Sequence, residues 1–165
     1  MFKEHLSTLY DYNYWANQRI LSCVAHLTAS QFSDATSHTQ HTAHEILVHT
    51  LGAEWIWRMR SQEGISPREL PTVEEWGTLQ AIRTAWQSEE QKMQDFLAGL
   101  SDSDLKRAIH YRTTGGTQRA TPLGQILHHV VLHGMQHRSE MAAILTHFGH
   151  SPGDIDFIVF LRSRE

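Results

Sequence analysis

Four long segments of the chain carry apolar residues at steps of three and four, and few helix-breaking residues interrupt them. They cover residues 2–27, 40–62, 72–97 and 121–148. This spacing places apolar side chains along one face of a helix, so each segment is predicted to be amphipathic. Four such helices in 165 residues predict an all-α four-helix bundle. A chain of this length suits one core, and we expect a single domain spanning residues 1–165.

Capping and turn residues set the predicted ends of these helices. The stretch "GISPRELP" separates the second helix from the third, and "TVEE" at Thr72 has the form of a capping box that opens the third. Gly77 is a candidate break within that third helix. Thr121 and Pro122 have the residue types preferred at the cap and first position of the fourth helix, which Gly149 ends.

A short segment before the fourth helix departs from the helical pattern. In "IHYRTTGGTQRATP" apolar and polar residues alternate weakly on both sides of "TGGT". This pattern predicts a small β-hairpin or an irregular insert over residues 109–120. The last stretch, "GDIDFIVFLRSRE", is partly apolar, so we expect it to pack back onto the helices.

The composition excludes several classes of function. The formal net charge of −4 and the pI near 6.3 give no basic surface for nucleic acid or an anionic membrane. No apolar run is long enough to span a membrane, and the N-terminus lacks the pattern of a signal peptide. A single cysteine, Cys23, excludes an internal disulfide and fits a reducing compartment, so we expect a cytoplasmic protein. The 13 histidines are the one unusual count.

Several histidines lie in the fourth predicted helix, within "QILHHVVLHGMQHRSE". Residues on a helix advance about 100° each, so His137 and His129 lie about 40° to either side of His133. The apolar residues of this helix share that side, and His133 and His137 are therefore predicted to face the core or to lie at its edge. We expect His129 at the rim of the apolar face and His128 on the opposite, solvated side.

Two inward histidines four residues apart favour a metal site without establishing one. Their rings reach the same point in space, as in other helical metal sites, but hydrogen-bonded core packing explains the pair alone equally well. A catalytic zinc-type site takes about three protein ligands and an open position. The second predicted helix offers His49 on its apolar face, with Glu45, at the edge of that face, as the competing third ligand.

Four motifs together resemble the DinB-like family of the DinB/YfiT superfamily. They are "LYDYNYWANQRIL" in the first helix, "EILVHTLGAEWIWRMR" in the second, "HHVVLHGMQHRSEM" in the fourth and "GHSPGDIDFIVFLR" near the end. Their order and spacing cover nearly the whole chain. The resemblance implies a four-helix bundle with up-down-down-up connectivity and a homodimer.

The resemblance also implies a metal site and a class of chemistry. His49, His133 and His137 match the family's three metal ligands, and the metal implied is zinc or nickel, with iron and manganese as further candidates. We expect His129, which matches a frequent family histidine, and Arg138 to act beside these ligands. Relatives in the superfamily include thiol-dependent transferases and isomerases, which implies a small-molecule substrate and a low-molecular-weight thiol as co-substrate.

Three hypotheses for the function follow. The first is a metal-dependent enzyme that activates a small thiol for transfer to an electrophilic small molecule. The second is a hydrolase that uses metal-bound water, and the third is a non-catalytic metal-binding stress-response protein. Catalytic residues are not identified, and Glu45, His129 and Tyr111 are candidate general bases by location only. Arg60 and Arg138 could bind an anionic group at the mouth of the site, although surface ion pairs are the simpler expectation.

Overall fold

The computed structural model describes residues 2–35 and 41–165 of the chain. These residues form six α-helices, a π-helical turn, a 3-10 turn and a two-stranded antiparallel sheet. Among the described residues, no helix is both long and apolar enough to cross a membrane. The helices are α1 (Phe2–Val24), α2 (Ala29–Ser33), α3 (Ala43–Arg58), α4 (Leu79–Ala98), α5 (Leu123–His147) and α6 (Phe157–Arg162). The π-helical turn covers Met59–Glu63, the 3-10 turn covers Asp104–Lys106, and the strands are β1 (Ala108–Arg112) and β2 (Gln118–Pro122).

The four long helices α1, α3, α4 and α5 pack against one another. α5 lies against both α1 and α3, and α4 also contacts α1 and α3. Apolar side chains from all four helices fill the space between them. The fold is therefore a mostly helical bundle, as the periodicity predicts, while the up-down-down-up order of helix directions stays a prediction.

The interior of the bundle has two apolar regions with a polar layer between them. One apolar region contains residues near the starts of α1 and α5, such as Leu6 and Leu127, and the other contains residues near their ends, such as Ile20 and Ile144. Burying each such side chain contributes about 1.5–3 kcal/mol relative to leaving it exposed. Six buried polar side chains form what we call the polar layer: Asn13, Asn17, Glu54, Arg58, Glu89 and Arg138.

The second long helix, α3, begins at Ala43 after an N-cap at Thr42. The predicted start at residue 40 lies outside the described residues. Thr42 Oγ1 accepts a hydrogen bond from the Glu45 backbone N–H at 3.1 Å, and the Glu45 carboxylate accepts one from the Thr42 N–H at 2.7 Å. This capping box satisfies N–H groups that have no partner inside the helix. At its other end the helix continues as the π-helical turn, which Gly64 ends with a φ of 68°.

The third long helix starts later than the sequence predicts. Thr72 does form a capping box with Glu75, with N···O distances of 2.7 and 3.4 Å, but the residues after it make only one turn. α4 begins at Leu79, where the side chain of Thr78 caps it. The prediction of one helix from residue 72 is therefore wrong. Gly77 interrupts the helix, and Thr78 caps a new helix directly after it.

The segment before α5 contains a β-hairpin, one of the two structures that its alternation predicts. β1 and β2 pair antiparallel, with Ala108 opposite Pro122. Thr121, predicted to cap the fourth helix, lies instead in β2 opposite Ile109, and Pro122 takes the cap position. That prediction is wrong because strand pairing, which depends on residues distant in sequence, overrides the local cap preference of Thr121.

The C-terminal segment packs back onto the bundle, as its apolar residues predict. Phe160 of α6 is buried together with Tyr12 and Ala16 of α1. The Tyr12 hydroxyl also donates to the backbone carbonyl of Ile155 at 3.0 Å. These contacts hold α6 against the side of α1.

Candidate metal centre

Three histidines from two helices meet at one point at the edge of the bundle. His49 comes from α3, and His133 and His137 come from α5, one turn apart. The Nε2 atoms of His49 and His133 are 3.2 Å apart, and those of His133 and His137 are also 3.2 Å apart. One ring nitrogen from each histidine lies within 4.8 Å of the others. We call these residues the three-histidine cluster.

The spacing of the cluster fits a single divalent cation. Zinc–imidazole bonds of about 2.0–2.1 Å at tetrahedral angles place the ligand nitrogens about 3.3 Å apart. The two Nε2 separations of 3.2 Å that involve His133 agree with this geometry, and the ring nitrogens of His49 and His137 lie within 4.8 Å of each other. Because imidazole suits zinc, nickel, copper and iron, the donor set fits a divalent transition metal without selecting one.

Glu45, the competing third ligand, lies outside the cluster. Its carboxylate caps α3 at Thr42, and its side chain is exposed. The group of described residues that could hold a metal contains His49 instead. The structure therefore places His49, and not Glu45, beside the two histidines of α5.

The cluster lies nearer to solvent than the sequence indicates. His133 and His137 are half-buried, and His49 is exposed. The buried side of α5 lies elsewhere, because residues such as Leu127 and Val131 pack toward the bundle interior. His133 and His137 were predicted to face the core or to lie at its edge, and the structure places them at the edge. The prediction that His49 faces the core is wrong.

Desolvation and mutual repulsion favour the neutral form of two of these imidazoles, those of His133 and His49. Desolvation, together with the neighbouring rings of His137 and His49, lowers the pKa of His133 to about 4. Desolvation and the His137 ring also lower the pKa of His49. The neutral imidazole is the form that binds a metal. At neutral pH these two rings therefore present nitrogen lone pairs to a cation.

A carboxylate orients one of the three rings. Glu140 lies one turn after His137 on α5, and His137 Nδ1 donates to its Oε2 at 2.9 Å. This hydrogen bond leaves the lone pair on Nε2, which faces the cluster. Metal-binding histidines commonly donate their second nitrogen in this way. This role of Glu140 was not predicted, although a His and a Glu three residues apart on one helix were the available signal.

A small open cavity adjoins the cluster. Its volume is about 270 Å³, and it is lined by His41, Glu45, Ile46, His49 and His137. It gives a small molecule access to the side of the cluster that His49 and His137 form. Nitrogen donors with an open approach are the arrangement that a catalytic metal site needs, whereas a structural site is closed by its ligands.

Comparison with known proteins assigns the chain to a family. The family model described as "DinB family" matches residues 1–165. The chain belongs to the DinB family. "Protein DinB" of Bacillus subtilis (strain 168) is 22% identical over 163 residues, which cover 93% of this chain and 91% of that protein. The resemblance that the four motifs indicated is thereby confirmed.

Two further histidines of α5 have different surroundings. His129 is exposed, and its ring lies 5.6 Å from the His133 ring and 5.6 Å from the Trp57 ring, so it adjoins the cluster, while its role there stays a prediction. His128, predicted to be solvated, is half-buried. Its Nδ1 donates at 2.8 Å to the backbone carbonyl one turn earlier, and its ring lies 5.4 Å from that of Phe2. That prediction is wrong because the start of α1 covers this side of α5.

Arg138 is buried between α5 and α1, with only 3% of the residue exposed. Its Nη1 donates to the Oδ1 atoms of both Asn13 and Asn17. The expected surface ion pair is therefore wrong for Arg138, because α1 supplies buried acceptors that are distant in sequence. Arg60, for which the same pair was expected, is 6% exposed and is also not at the surface. Arg138 supports the turn of α5 that carries His137 and lies outside the cluster.

Glu54 is a fully buried carboxyl group of the polar layer. Tyr14 Oη and Trp86 Nε1 donate to its two oxygens. Burial, together with the charge of Glu89, raises the pKa of Glu54 to about 7, although the two hydrogen bonds oppose the shift. The role of Glu54 was not predictable from local sequence, since its partners lie in α1 and α4.

Proposed function

We propose that His49, His133 and His137 bind one divalent metal and that this DinB-family protein is a metal-dependent enzyme. Its reaction transfers a low-molecular-weight thiol to an electrophilic small molecule. The observation that carries the proposal is the 3.2 Å separation of His133 Nε2 from the Nε2 atom of each other histidine. We favour zinc or nickel over iron or manganese, because zinc and nickel accept imidazole nitrogen and bind thiolate sulfur well.

The chain's own residues supply binding and orientation in this proposal. His49 and His133, whose pKa values burial lowers, are neutral donors. Glu140 holds the His137 ring so that its Nε2 faces the other donors. The cavity beside His49 admits the thiol. When bound, a divalent metal with three neutral ligands keeps its full positive charge and lowers the pKa of a thiol at its open position.

The exposure of the cluster also supports a second candidate, hydrolysis. Because His49 is exposed, water reaches the same open approach as a thiol. A metal with neutral ligands can activate water as well as a thiol. The two reactions differ in one requirement, since hydrolysis does not need the thiol. The remaining alternative, a non-catalytic metal-binding protein, predicts turnover by neither route.

A co-substrate assay separates these alternatives. Zinc-loaded protein is incubated with chlorodinitrobenzene, with and without glutathione or cysteine, and separately with nitrophenyl acetate in the absence of thiol. We expect thiol-dependent product that is lost in His133→Ala and kept in His110→Ala, an exposed histidine of β1. Ester hydrolysis without thiol would favour the hydrolase, and turnover in neither assay would favour the non-catalytic role.

A binding measurement makes the test independent of the electrophile chosen. Cobalt-substituted protein is titrated with the same thiols while the thiolate-to-cobalt absorption is recorded. We expect a new band in the wild type and no band in His133→Ala. If no thiol produces the band although cobalt is bound, the thiol hypothesis is wrong.

We also propose that the protein forms a homodimer. Phe2 and Leu132 are 50% and 58% exposed, and both line one open groove of about 790 Å³. Met135, one turn after Leu132 on α5, is 47% exposed. A contiguous apolar surface of this kind is typical of a protein–protein interface.

A further inference from the structure

Arg60 is a buried cation with no acceptor among the described residues. Only 6% of the residue is exposed, and its Nε atom is enclosed without a hydrogen-bond partner. Its guanidinium lies over two aromatic rings, with Cζ 4.7 Å from the Trp57 ring centroid and 5.2 Å from that of Tyr111. Within residues 2–35 and 41–165, no hydrogen bond or ion pair satisfies its N–H donors.

A neighbouring arginine shows how a paired guanidinium is arranged in the same part of the chain. Arg58 is 4% exposed, and its Nε and Nη2 donate to the two carboxylate oxygens of Glu89. Its Nη1 donates to Gln62 at 3.1 Å and to Glu63 at 3.3 Å. Arg60 has two cation–π contacts and no hydrogen-bond acceptor among the described residues, and its Nε is enclosed without a partner.

Arg60 and the three-histidine cluster are joined by a strip of rings. The ring centroids of His133 and His129 are 5.6 Å apart, as are those of His129 and Trp57. The Arg60 guanidinium lies over the Trp57 ring. Arg60 lies in the π-helical turn that continues α3, and the 11 residues from His49 to Arg60 span about 16 Å at the rise of an α-helix. Because His129 is exposed, the strip is open to solvent between its two ends.

We infer that Arg60 binds a carboxylate at the far end of the thiol or substrate whose reacting end lies at the three-histidine cluster. The inference rests on the proposed function, since it requires a metal in that cluster. A carboxylate presents two oxygens in the plane of the guanidinium fork. Trp57 and Tyr111 hold that plane in place, so binding costs Arg60 little side-chain freedom. The ligand class is an elongated small molecule that carries a carboxylate.

A purely structural role for Arg60 is the alternative. Tyr111 lies in β1, so the guanidinium also fastens the hairpin to the end of α3. Such a fastening needs only the attraction between the cation and the two rings, and no hydrogen-bond acceptor. The two roles differ in one measurable respect, because only the binding role makes ligand affinity depend on a carboxylate.

The test compares ligands that differ only in their far end. Cobalt-loaded protein is titrated with ω-mercaptoalkanoic acids and with the matching ω-mercaptoalcohols, and dissociation constants are taken from the thiolate-to-cobalt absorption. Chains of about two to about ten methylene groups cover lengths up to the span estimated from the helix rise. At an intermediate or long chain we expect the acid to bind about tenfold more tightly than the alcohol, as a hydrogen bond between charged groups provides. The shortest acids should show no preference.

Two variants decide whether Arg60 is responsible. Arg60→Gln should remove the preference for the acid, whereas Arg119→Gln, at an exposed arginine of β2, should leave it intact. If circular dichroism shows that Arg60→Gln does not fold, Arg60→Lys replaces it, since lysine lacks the bidentate fork and should reduce the preference. Equal affinity for acid and alcohol at every length, or a preference that the substitution leaves unchanged, overturns the inference.

A second head group separates this inference from the thiol hypothesis. Hydroxamates bind divalent metals without a thiol, so ω-carboxyalkyl hydroxamates and their ω-amide counterparts test Arg60 directly. If thiols do not bind but the hydroxamate acids keep a preference that depends on Arg60, the thiol hypothesis fails and the carboxylate site stands. If the cluster binds neither cobalt nor zinc, both proposals are wrong.

Discussion

Glu140 is the residue on which the orientation of His137 depends, through a hydrogen bond of 2.9 Å. Glu140→Leu should weaken metal binding by about 10- to 100-fold, because the ring loses the acceptor that fixes its tautomer and orientation. Glu140→Gln keeps an acceptor oxygen and should lose much less. Competition with a chromogenic chelator measures both dissociation constants. An unchanged affinity in Glu140→Leu would contradict this role.

Glu54 gives the protein a pH-dependent stability that does not involve the cluster. Its pKa rises from the ordinary 4.5 to about 7 on folding, chiefly because the carboxyl group is buried. Between these values the folded chain keeps a proton that the unfolded chain has released. Stability contributed by Glu54 is therefore fully present below pH 4.5 and is lost as the pH rises to about 7. The loss is on the order of 3 kcal/mol.

The variant Glu54→Gln tests this dependence. Glutamine cannot ionise, so the free energy of unfolding of wild type relative to Glu54→Gln should fall between about pH 5 and pH 7. Urea unfolding at several pH values measures the difference. Glu69→Gln, at an exposed glutamate, controls for the loss of one charge. A difference between wild type and Glu54→Gln that stays constant over this range would contradict the buried, protonated state of Glu54.

Residue-scale features were predictable where they depend on spacing within one helix. His133 and His137 are one turn apart, so their convergence follows from helix geometry alone. The burial of Arg138 was not predictable in this way, because its acceptors Asn13 and Asn17 belong to α1. The same limit applies to Arg60, whose aromatic neighbour Tyr111 lies in the hairpin.

At the scale of elements, Gly134 permits the close approach of α5 and α1. A Cβ at this position would lie 2.9 Å from Arg138 Nη1 and 2.9 Å from Asn13 Oδ1. At an exposed helical site Gly→Ala stabilises a protein by about 1 kcal/mol. Here we expect the opposite sign, with Gly134→Ala lowering the free energy of unfolding by about 1–3 kcal/mol.

Chemical denaturation of Gly134→Ala and of a matched control shows whether the substitution lowers or raises the free energy of unfolding. Gly99 follows α4 with a φ of −76°, and a Cβ added there would lie 3.6 Å from the Phe96 carbonyl oxygen. Gly99→Ala should therefore be neutral or slightly stabilising. If Gly134→Ala is as stable as Gly99→Ala, the packing of Arg138 against Asn13 does not require the glycine.

Helix boundaries were predicted less well than the helices themselves. The capping box at Thr72 forms as predicted, yet only a single helical turn follows it. Gly77 ends that turn, and Thr78 caps the next helix. A capping box indicates where a helical turn begins, and the residues after it decide whether the turn continues. Thr121 shows a second limit, since a prediction from neighbouring residues does not include its strand partner Ile109.

At the scale of the whole molecule, the exposed apolar surface supports the proposed homodimer. Leu132→Asp should shift the protein toward a monomer, because a charge in an apolar interface is left without a partner. Sedimentation velocity at several concentrations measures the association state. Ile65→Asp, at an apolar residue that is 52% exposed elsewhere on the surface, is the control. A wild-type protein that is monomeric at all concentrations would contradict the proposal.

The bundle was predictable from periodicity, and its helix order was not. Apolar spacing locates four helices, but nothing local states which of them are neighbours. The up-down-down-up order that we propose is supported by the grouping of helix ends in the core. The start of α1 shares one apolar region with the start of α5 and the end of α4, and the end of α1 shares the other with the start of α3.

The central claim is that His49, His133 and His137 hold one metal, and elemental analysis of untagged protein tests it most directly. The wild type and His110→Ala should each contain about one divalent metal per chain, as a three-ligand site predicts. His49→Ala, His133→Ala and His137→Ala should each lose it while remaining folded by circular dichroism. A wild type that has no metal and takes up no added zinc, or three variants that all retain the metal, would contradict the account.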